Sequence, residues 1–499
     1  MRILIVQLAR LGDIITTYPS IQALRRENPE AEIDLMVRPR FRAACKPIEN
    51  LVNVMEWDSK KYFEPLLNED NSIDESLEQA ESALSDVLDQ LNGTYDKVIN
   101  LSFSPASSFL VSCISNEQTI VSGYTRFDDG FLKIPDDASA YFYAQVGISR
   151  QNRFHLMDLF SEVAGVALQS SDYRLEFEHD LPEMIQSYLS SDPYLVIHVG
   201  ASDSGKALSK EKWVSVVNRL KNSYKGRVAL VGSPEEKEIA DYIYLQSMSD
   251  SIINLVGKTD LLDLFPLIRN AELYIGCDSG PLHIASMENV RSFNLSNSYV
   301  NFFETGPKAE NSRILFGKSF DDIGSDTIVE EILGHLSNDV PTDRVAVLDQ
   351  PTELYITAQE SSDDFGWNLV RAIYLGTDFP VPNDIRFVEG LNQLQELNVI
   401  AVQQLLQILK VEDSESNRMI LDRVDDLVDN LVDMVPELQP LVSWYQTEKL
   451  RVGPGNKEQI VEAYTQIHEN LAKINSIYLG EDLDIETEKE VRDGTELSK

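Results

Sequence analysis

Four segments combine small, acidic and basic residues in a way that could bind a phosphorylated ligand and act on it. They are residues 10–19 (RLGDIITTYP), 198–206 (HVGASDSGK), 232–236 (GSPEE) and 277–285 (CDSGPLHIA). Each segment links an apolar run, typical of a buried strand, to a run typical of a helix. In a parallel α/β sheet such turns gather at the carboxyl ends of the strands, where ligands bind.

The first of these segments could supply a general base. Gly12 allows a tight turn, and Asp13 falls at the start of the first helix, facing the crevice beyond the strand. Aspartate is also a favoured helix N-cap. Spacing alone therefore leaves both a catalytic and a purely capping role open for Asp13.

The segment 277–285 has the composition of an anion site at a helix N-terminus. An apolar run typical of a helix follows Asp278, Ser279 and Gly280. The free backbone N–H groups at the start of this helix, together with the helix dipole, could bind a phosphate. His283, one turn later, could add a hydrogen-bond donor. A plain turn before a helix would have the same composition, so this alternative also stays open.

The other two segments could complete a nucleotide site. Lys206 could reach a diphosphate, although Ala207 stands where a P-loop has the hydroxyl residue that holds Mg²⁺, which favours phosphate contact without a metal. Glu235 or Glu236 could bind ribose hydroxyls. A solvated loop lysine and a helix start with favourable acidic residues are the alternatives.

Composition narrows the classes of partner. The chain has 499 residues, enough for about three domains. Its formal net charge of −39 argues against binding to nucleic acid or, through overall charge, to anionic lipid. Three widely spaced cysteines form no disulfide framework, and no apolar run is long enough to cross a bilayer. We therefore expect a soluble protein of a reducing cytoplasm, at most peripherally associated with the inner membrane.

Alternating patterns predict an α/β class with two Rossmann-like, doubly wound domains facing across a cleft, followed by an acidic α-helical bundle. Strands are predicted at residues 2–8, 32–37, 52–56, 97–101, 194–199, 227–231 and 272–275. Helices are predicted at 14–26, 75–92, 212–220, 235–246, 261–268, 387–410, 419–435 and 458–477. The expected domains are 1–170 and 171–338 for the two Rossmann-like domains, 339–480 for the helical extension and 481–499 for a disordered tail.

Several of these segments resemble the heptosyltransferases of glycosyltransferase family nine, which have the glycosyltransferase B fold. The resemblance is carried, in family order over about residues 1–338, by residues 2–5, 11–13, 153–159, 198–202, 206, 232–235, 255–259 and 278–283. Leu208 and residues 295–298 depart from the family pattern. The acidic helical extension is not part of the common family core.

The resemblance implies an inverting, metal-independent transfer of a sugar from a nucleotide donor, usually ADP-heptose, to a Kdo or heptose of lipopolysaccharide inner core. It implies that domain 1–170 binds the acceptor and domain 171–338 the nucleotide-sugar donor. It also implies that Asp13 is the general base and that Lys206 stabilises the departing diphosphate. Donor-binding roles are implied for Ser202, Glu235, Glu236, Thr259, Asp278, Ser279, Gly280 and His283. No metal and no resident cofactor are expected.

Acceptor binding is less specified by the sequence. Gly12 and the basic residues Arg40, Arg42 and Arg126, in an otherwise acidic chain, are candidates to hold acceptor phosphates or carboxylates. Solvated loop charge is the alternative for each arginine.

The leading hypothesis is transfer of a heptose or similar sugar to a lipopolysaccharide-core or other envelope glycan acceptor. Two alternatives stay open: a protein-modifying glycosyltransferase of the same fold, and a non-catalytic scaffold. In the scaffold hypothesis the acidic extension binds a protein partner or a second copy of the chain.

Overall fold

The computed structural model describes residues 1–67, 72–189, 192–201, 203–337, 345–347, 354–356, 364–382, 384–410 and 414–480. The chain divides into two compact units. The α/β unit contains Met1–Arg126 and Gly147–Ser361, and the helical unit contains Phe127–Val146 and Ser362–Lys499. The predicted disordered tail, 481–499, lies outside the described residues.

The first half of the α/β unit contains the strands that the sequence predicts. Its elements are β1 (Arg2–Val6), α1 (Leu11–Thr16), α2 (Tyr18–Glu27), β2 (Glu32–Val37), β3 (Asn53–Glu56), α3 (Ser59–Phe63), α4 (Ile73–Leu91), β4 (Lys97–Asn100), α5 (Pro105–Ile114), β5 (Ile120–Gly123) and β6 (Thr125–Arg126). A parallel sheet runs in the order β3-β2-β1-β4-β5. The order reverses between β1 and β4, so a crevice opens beyond the carboxyl ends of these two strands.

The next part of the chain holds β7 (Leu132–Lys133), α6 (Asp137–Gln145), α7 (Leu156–Ala164) and α8 (Glu183–Leu189). The second half of the α/β unit then contains β8 (Tyr194–His198), α9 (Lys210–Ser223), β9 (Arg227–Val231), α10 (Lys237–Ser247), β10 (Ile252–Asn254), α11 (Leu264–Arg269), β11 (Leu273–Cys277), α12 (Gly280–Met287), β12 (Ser292–Asn297), α13 (Phe302–Thr305), β13 (Arg313–Gly317), α14 (Ser325–Leu336), β14 (Val345–Val347) and β15 (Leu354–Ile356).

The second sheet repeats the doubly wound pattern. Its order is β10-β9-β8-β11-β12-β13-β14-β15, parallel except for the last strand. Strands β8 and β11 are buried along their whole length because helices cover both faces. The order reverses between these two strands, which places the turns that follow them at the switch point of the sheet.

One predicted helix is divided in the structure, and two others begin later than predicted. The single helix predicted at 14–26 is wrong: α1 and α2 meet at Thr17, and Pro19 lies in the first turn of α2. Proline has no N–H to continue the helical hydrogen bonds, so a new helix starts there. The helix predicted from 235 begins as a 3₁₀ turn at Pro234–Glu236, and the one predicted from 261 begins at Leu264.

The helical unit contains α6 together with α15 (Phe365–Leu375), α16 (Ile385–Lys410), α17 (Glu415–Met434), α18 (Gln439–Arg451) and α19 (Lys457–Leu479). Helix α16 packs against α17 and α19. Residues 127–146 join this unit through Gln145, whose amide donates to the Pro440 carbonyl at 3.0 Å, and Asp137, which pairs with Arg451 at 2.7 Å. Among the described helices, none is long and apolar enough to cross a membrane.

Substitutions at two glycines with nearly the same positive φ can separate backbone strain from the close packing of β5 on β4. Gly123 has φ +86° and a Cβ there would lie 2.1 Å from the Asn100 carbonyl oxygen, whereas Gly130 has φ +84° and open space around it. Gly130→Ala should cost about 1 kcal/mol of folding free energy through φ alone, and Gly123→Ala about 1–3 kcal/mol more. Urea denaturation measures both. Equal losses would contradict the predicted backbone clash.

Candidate functional site

Asp13 lies in the first turn of helix α1 and carries a destabilised charge. It is not the N-cap, which is Arg10, but the third helical residue, and its carboxylate accepts the Arg10 N–H at 2.9 Å. Burial is the largest influence on this group and raises the pKa of Asp13, although the Arg10 hydrogen bond and the nearby His283 oppose the rise. This hydrogen bond and catalysis are therefore compatible, because a carboxylate with a raised pKa is a stronger base.

Gln7, which the sequence did not single out, holds the turn that carries Asp13. It is fully buried, and its amide donates to the Thr17 hydroxyl and to the Leu101 carbonyl, each at 3.2 Å. Thr17 in turn donates to the Asp13 carbonyl oxygen at 2.7 Å. The only signal in the sequence is one polar residue at the end of an apolar strand.

Lys206 and Asp278 meet at the switch point of the second sheet. They lie beyond β8 and β11, which are neighbours, and the Lys206 ammonium is 2.8 Å from an Asp278 carboxylate oxygen. Both side chains are largely buried. An ammonium group has three donors, so Lys206 can hold Asp278 and still donate to a diphosphate.

Ser279 and Gly280 form the start of helix α12, as predicted. Ser279 is the N-cap residue, and its hydroxyl lies 3.1 Å from His198 Nδ1. The first N–H groups of a helix have no acceptor within the helix, so this terminus can bind an anion beside Lys206.

Two glycines let the Asp13 turn and helix α12 touch within the α/β unit. A Cβ on Gly12 would lie 3.2 Å from His283 Cδ2, and one on Gly280 would lie 3.0 Å from Leu11 Cδ2. Both distances are shorter than ordinary van der Waals contact. The predicted base and the predicted anion loop are thus brought to the same place from opposite halves of the unit.

His283 lies at this contact and is buried. Its Nδ1 atom has no hydrogen-bond partner among the described residues. Burial lowers the pKa of His283, and the carboxylates of Asp278 and Asp13 oppose this. The imidazole is therefore neutral near pH 7 and can donate one hydrogen bond without adding positive charge.

The two candidate ribose ligands occupy different environments. Burial would raise the pKa of Glu236, but it is lowered overall by His198, 3.6 Å away, and by hydrogen bonds from Ser233, whose N–H lies at 2.6 Å. A Cβ on Gly200 would overlap this carboxylate. Glu235 is exposed and forms no hydrogen bond with the described protein, so it is the more available of the two.

The remaining predicted donor residues are only partly placed. Thr259 is partly exposed in the turn after β10, on the same edge of the sheet as Lys206. Ser202 lies outside the described residues.

The predicted acceptor arginines follow strands of the first sheet but differ in how free they are. Arg42 is 2.8 Å from Glu49 and 3.6 Å from Glu56, so its charge is already compensated. Arg126 donates to the Ser108 hydroxyl at 2.9 Å. Arg40 is exposed and has no carboxylate partner in the described part of the chain, which makes it the most available of the three.

Within the described residues, one group could offer three atoms to a metal ion: His179, Asp260 and Asp263. Its carboxylates already accept backbone N–H groups at the start of α11, where Asp260 bonds Leu262 and Asp263 at 2.9–3.0 Å. Asp263 also contacts His179 at 3.2 Å. Hydrogen bonds within the turn at residues 260–263 and the His179–Asp263 contact account for this arrangement.

Comparison with known proteins agrees with the geometry. Residues 87–295 match the model of glycosyltransferase family 9 (heptosyltransferase). The chain is 25% identical over 282 residues to lipopolysaccharide heptosyltransferase 3 of Escherichia coli, covering 55% of this chain and 76% of that protein. It is 26% identical over 323 residues to lipopolysaccharide heptosyltransferase 1 of Campylobacter coli, covering 61% of this chain and 87% of that protein.

The fold is also found in a solved structure, a family 9 glycosyl transferase from Veillonella parvula. The TM-score is 0.53 at 21% identity, with 68% of this chain and 97% of that chain covered. Fold, site and sequence matches together define a glycosyltransferase. More specifically, the chain is similar to the heptosyltransferases of glycosyltransferase family nine.

The raised pKa of Asp13 predicts how its replacement changes stability with pH. Because the folded-state pKa lies above the unfolded one, the ionised carboxylate costs stability above the folded pKa, and this cost vanishes below the unfolded pKa. Asp13→Asn keeps the oxygen that accepts the Arg10 N–H and removes the charge. It should therefore raise the free energy of unfolding at pH 7–8, and raise it by less at pH 4. Urea denaturation across this range checks it. A gain that is independent of pH would contradict the burial of the charge.

Proposed function

We propose that this protein is an inverting, metal-independent glycosyltransferase that moves a heptose or similar sugar from an ADP-sugar to a lipopolysaccharide-core or other envelope glycan acceptor. The observation that carries the proposal is the placement of Asp13, a partly buried carboxylate, against helix α12, with the Asp278–Lys206 pair beside the N-terminus of that helix.

Asp13 acts as the general base in this reaction. The acceptor hydroxyl attacks the anomeric carbon, and the carboxylate takes the hydroxyl proton as the new carbon–oxygen bond forms. Gln7 and Thr17 fix the backbone of Asp13, so the base is held in place before substrate binds.

The leaving group is stabilised from the second sheet. As the bond between the anomeric carbon and the diphosphate breaks, the electron pair and the negative charge go to the diphosphate oxygen. This charge is stabilised by the Lys206 ammonium and by hydrogen bonds from the N–H groups of Ser279 and Gly280. These groups need no metal ion to do so, and Asp278 keeps the Lys206 ammonium directed into the site.

Inversion follows from attack on one face of the sugar while the diphosphate departs from the other. The base and the diphosphate groups come from different halves of the α/β unit, which suits a single in-line displacement. The ADP part of the donor rests on the resemblance to family nine, and the acceptor class rests on the names of the curated relatives.

Nucleotide release from a panel of ADP-, UDP- and GDP-sugars, with a deacylated inner-core acceptor, tests the proposal. We expect ADP to be released, with the rate unchanged by EDTA. Asp13→Asn should reduce kcat by about 10²–10⁴-fold because proton removal is lost. Lys206→Met should reduce kcat by about 10²–10³-fold because the ammonium no longer stabilises the negative charge on the diphosphate.

Lys210→Met is the matched control for Lys206→Met. Lys210 lies in the next turn of the chain, where its ammonium packs 4.9 Å from the centre of the Tyr242 ring. Activity should be unchanged in this variant. If no donor in the panel gives turnover that Asp13→Asn abolishes, the proposal is wrong.

A further inference from the structure

A cavity of about 480 Å³ lies entirely within the helical unit, where helices α16, α17, α18 and α19 meet. Its volume falls within the range of small-molecule sites in proteins. It contains no residue of the glycosyltransferase site, so the sugar-transfer reaction does not explain it.

The interior wall of this cavity is apolar. Leu405 and Ile408 of α16, Val424 of α17 and Val461 of α19 line it and are buried. Leu421 adds a partly buried side chain. A ligand that fills the interior therefore has to be apolar there.

The polar groups at the base of the cavity already satisfy one another. His468 Nδ1 lies 2.6 Å from the Asn398 side-chain oxygen, and the Tyr445 hydroxyl lies 3.4 Å from His468 Nε2. Burial, with a smaller contribution from Lys449, lowers the pKa of His468 to about 4, so its ring is neutral. A ligand would find no unpaired charge at the base.

The charged lining has three basic residues, Arg418, Lys449 and Lys457, and two acidic residues, Asp422 and Asp425. The chain as a whole has 82 acidic and 43 basic residues. Lys449 is neutralised by Asp425 and packs near the rings of Tyr445 and Tyr464. Lys457 is different: its ammonium donates to the Ile408 carbonyl at 3.1 Å, and no carboxylate of the described residues pairs with it.

We propose that this cavity binds a single-chain anionic amphiphile, with the alkyl chain against Leu405, Ile408 and Val461 and the carboxylate at Lys457. Two features of the site select this class of ligand. The apolar interior excludes a polar body, and the Lys457 ammonium, which has no carboxylate partner among the described residues, favours an anion over a neutral head group.

Calorimetric titration of the full-length protein with decanoate, and separately with 1-decanol, tests the proposal. We expect one decanoate per chain. Lys457→Met should weaken decanoate binding about two- to fivefold and leave 1-decanol binding unchanged, because only the charge interaction is lost. The control Lys473→Met, on the same helix with its ammonium near Asn470, should change neither.

Filling the cavity gives an independent readout. Val461→Trp should abolish binding of both decanoate and 1-decanol. If this variant does not fold, Leu421→Trp fills the cavity instead and should have the same effect. Absence of saturable decanoate binding to the unmodified protein overturns the proposal. Equal weakening by Lys457→Met and Lys473→Met, or undiminished binding to a folded cavity-filling variant, also overturns it.

Discussion

The close contact between the Asp13 turn and the start of helix α12 fixes the geometry of the whole site. It exists because Gly12 and Gly280 have no side chains to separate the two segments. Each segment follows a strand at the reversal point of a parallel sheet, β1 in the first sheet and β11 in the second, so the two sheets place the proposed base and the proposed anion loop on opposite sides. A larger residue at either glycine would move Asp13 away from the start of helix α12.

This contact concentrates charge in a partly buried region, and the surrounding residues offset only part of the cost. Lys206 compensates Asp278 directly, whereas Asp13 keeps a raised pKa despite its hydrogen bond from Arg10. A partly buried, incompletely stabilised carboxylate lowers stability but increases basicity. The protein thus loses some folding free energy at the residue that we propose as the general base.

The turns that carry Asp13, Lys206 and Asp278 could be predicted because glycine and polar residues interrupt apolar runs at these points. Pro19 signals the break between α1 and α2, but the apolar residues on both sides of it keep a helical period, which favoured one continuous helix. The role of Gln7 and the packing of residues 127–146 in the helical unit depend on contacts between distant segments, which have no local sequence signal. The same limit applies to the cavity in that unit, whose lining comes from four helices.

The pH dependence of kcat/KM for sugar transfer tests whether Asp13 is the general base. We expect kcat/KM to rise with pH along an acidic limb whose apparent pKa lies above 3.8, the ordinary value for aspartate. We also expect the residual activity of Asp13→Asn to have no such limb. The same limb in that variant, or a limb at or below 3.8 in the unmodified enzyme, would show that Asp13 is not the base.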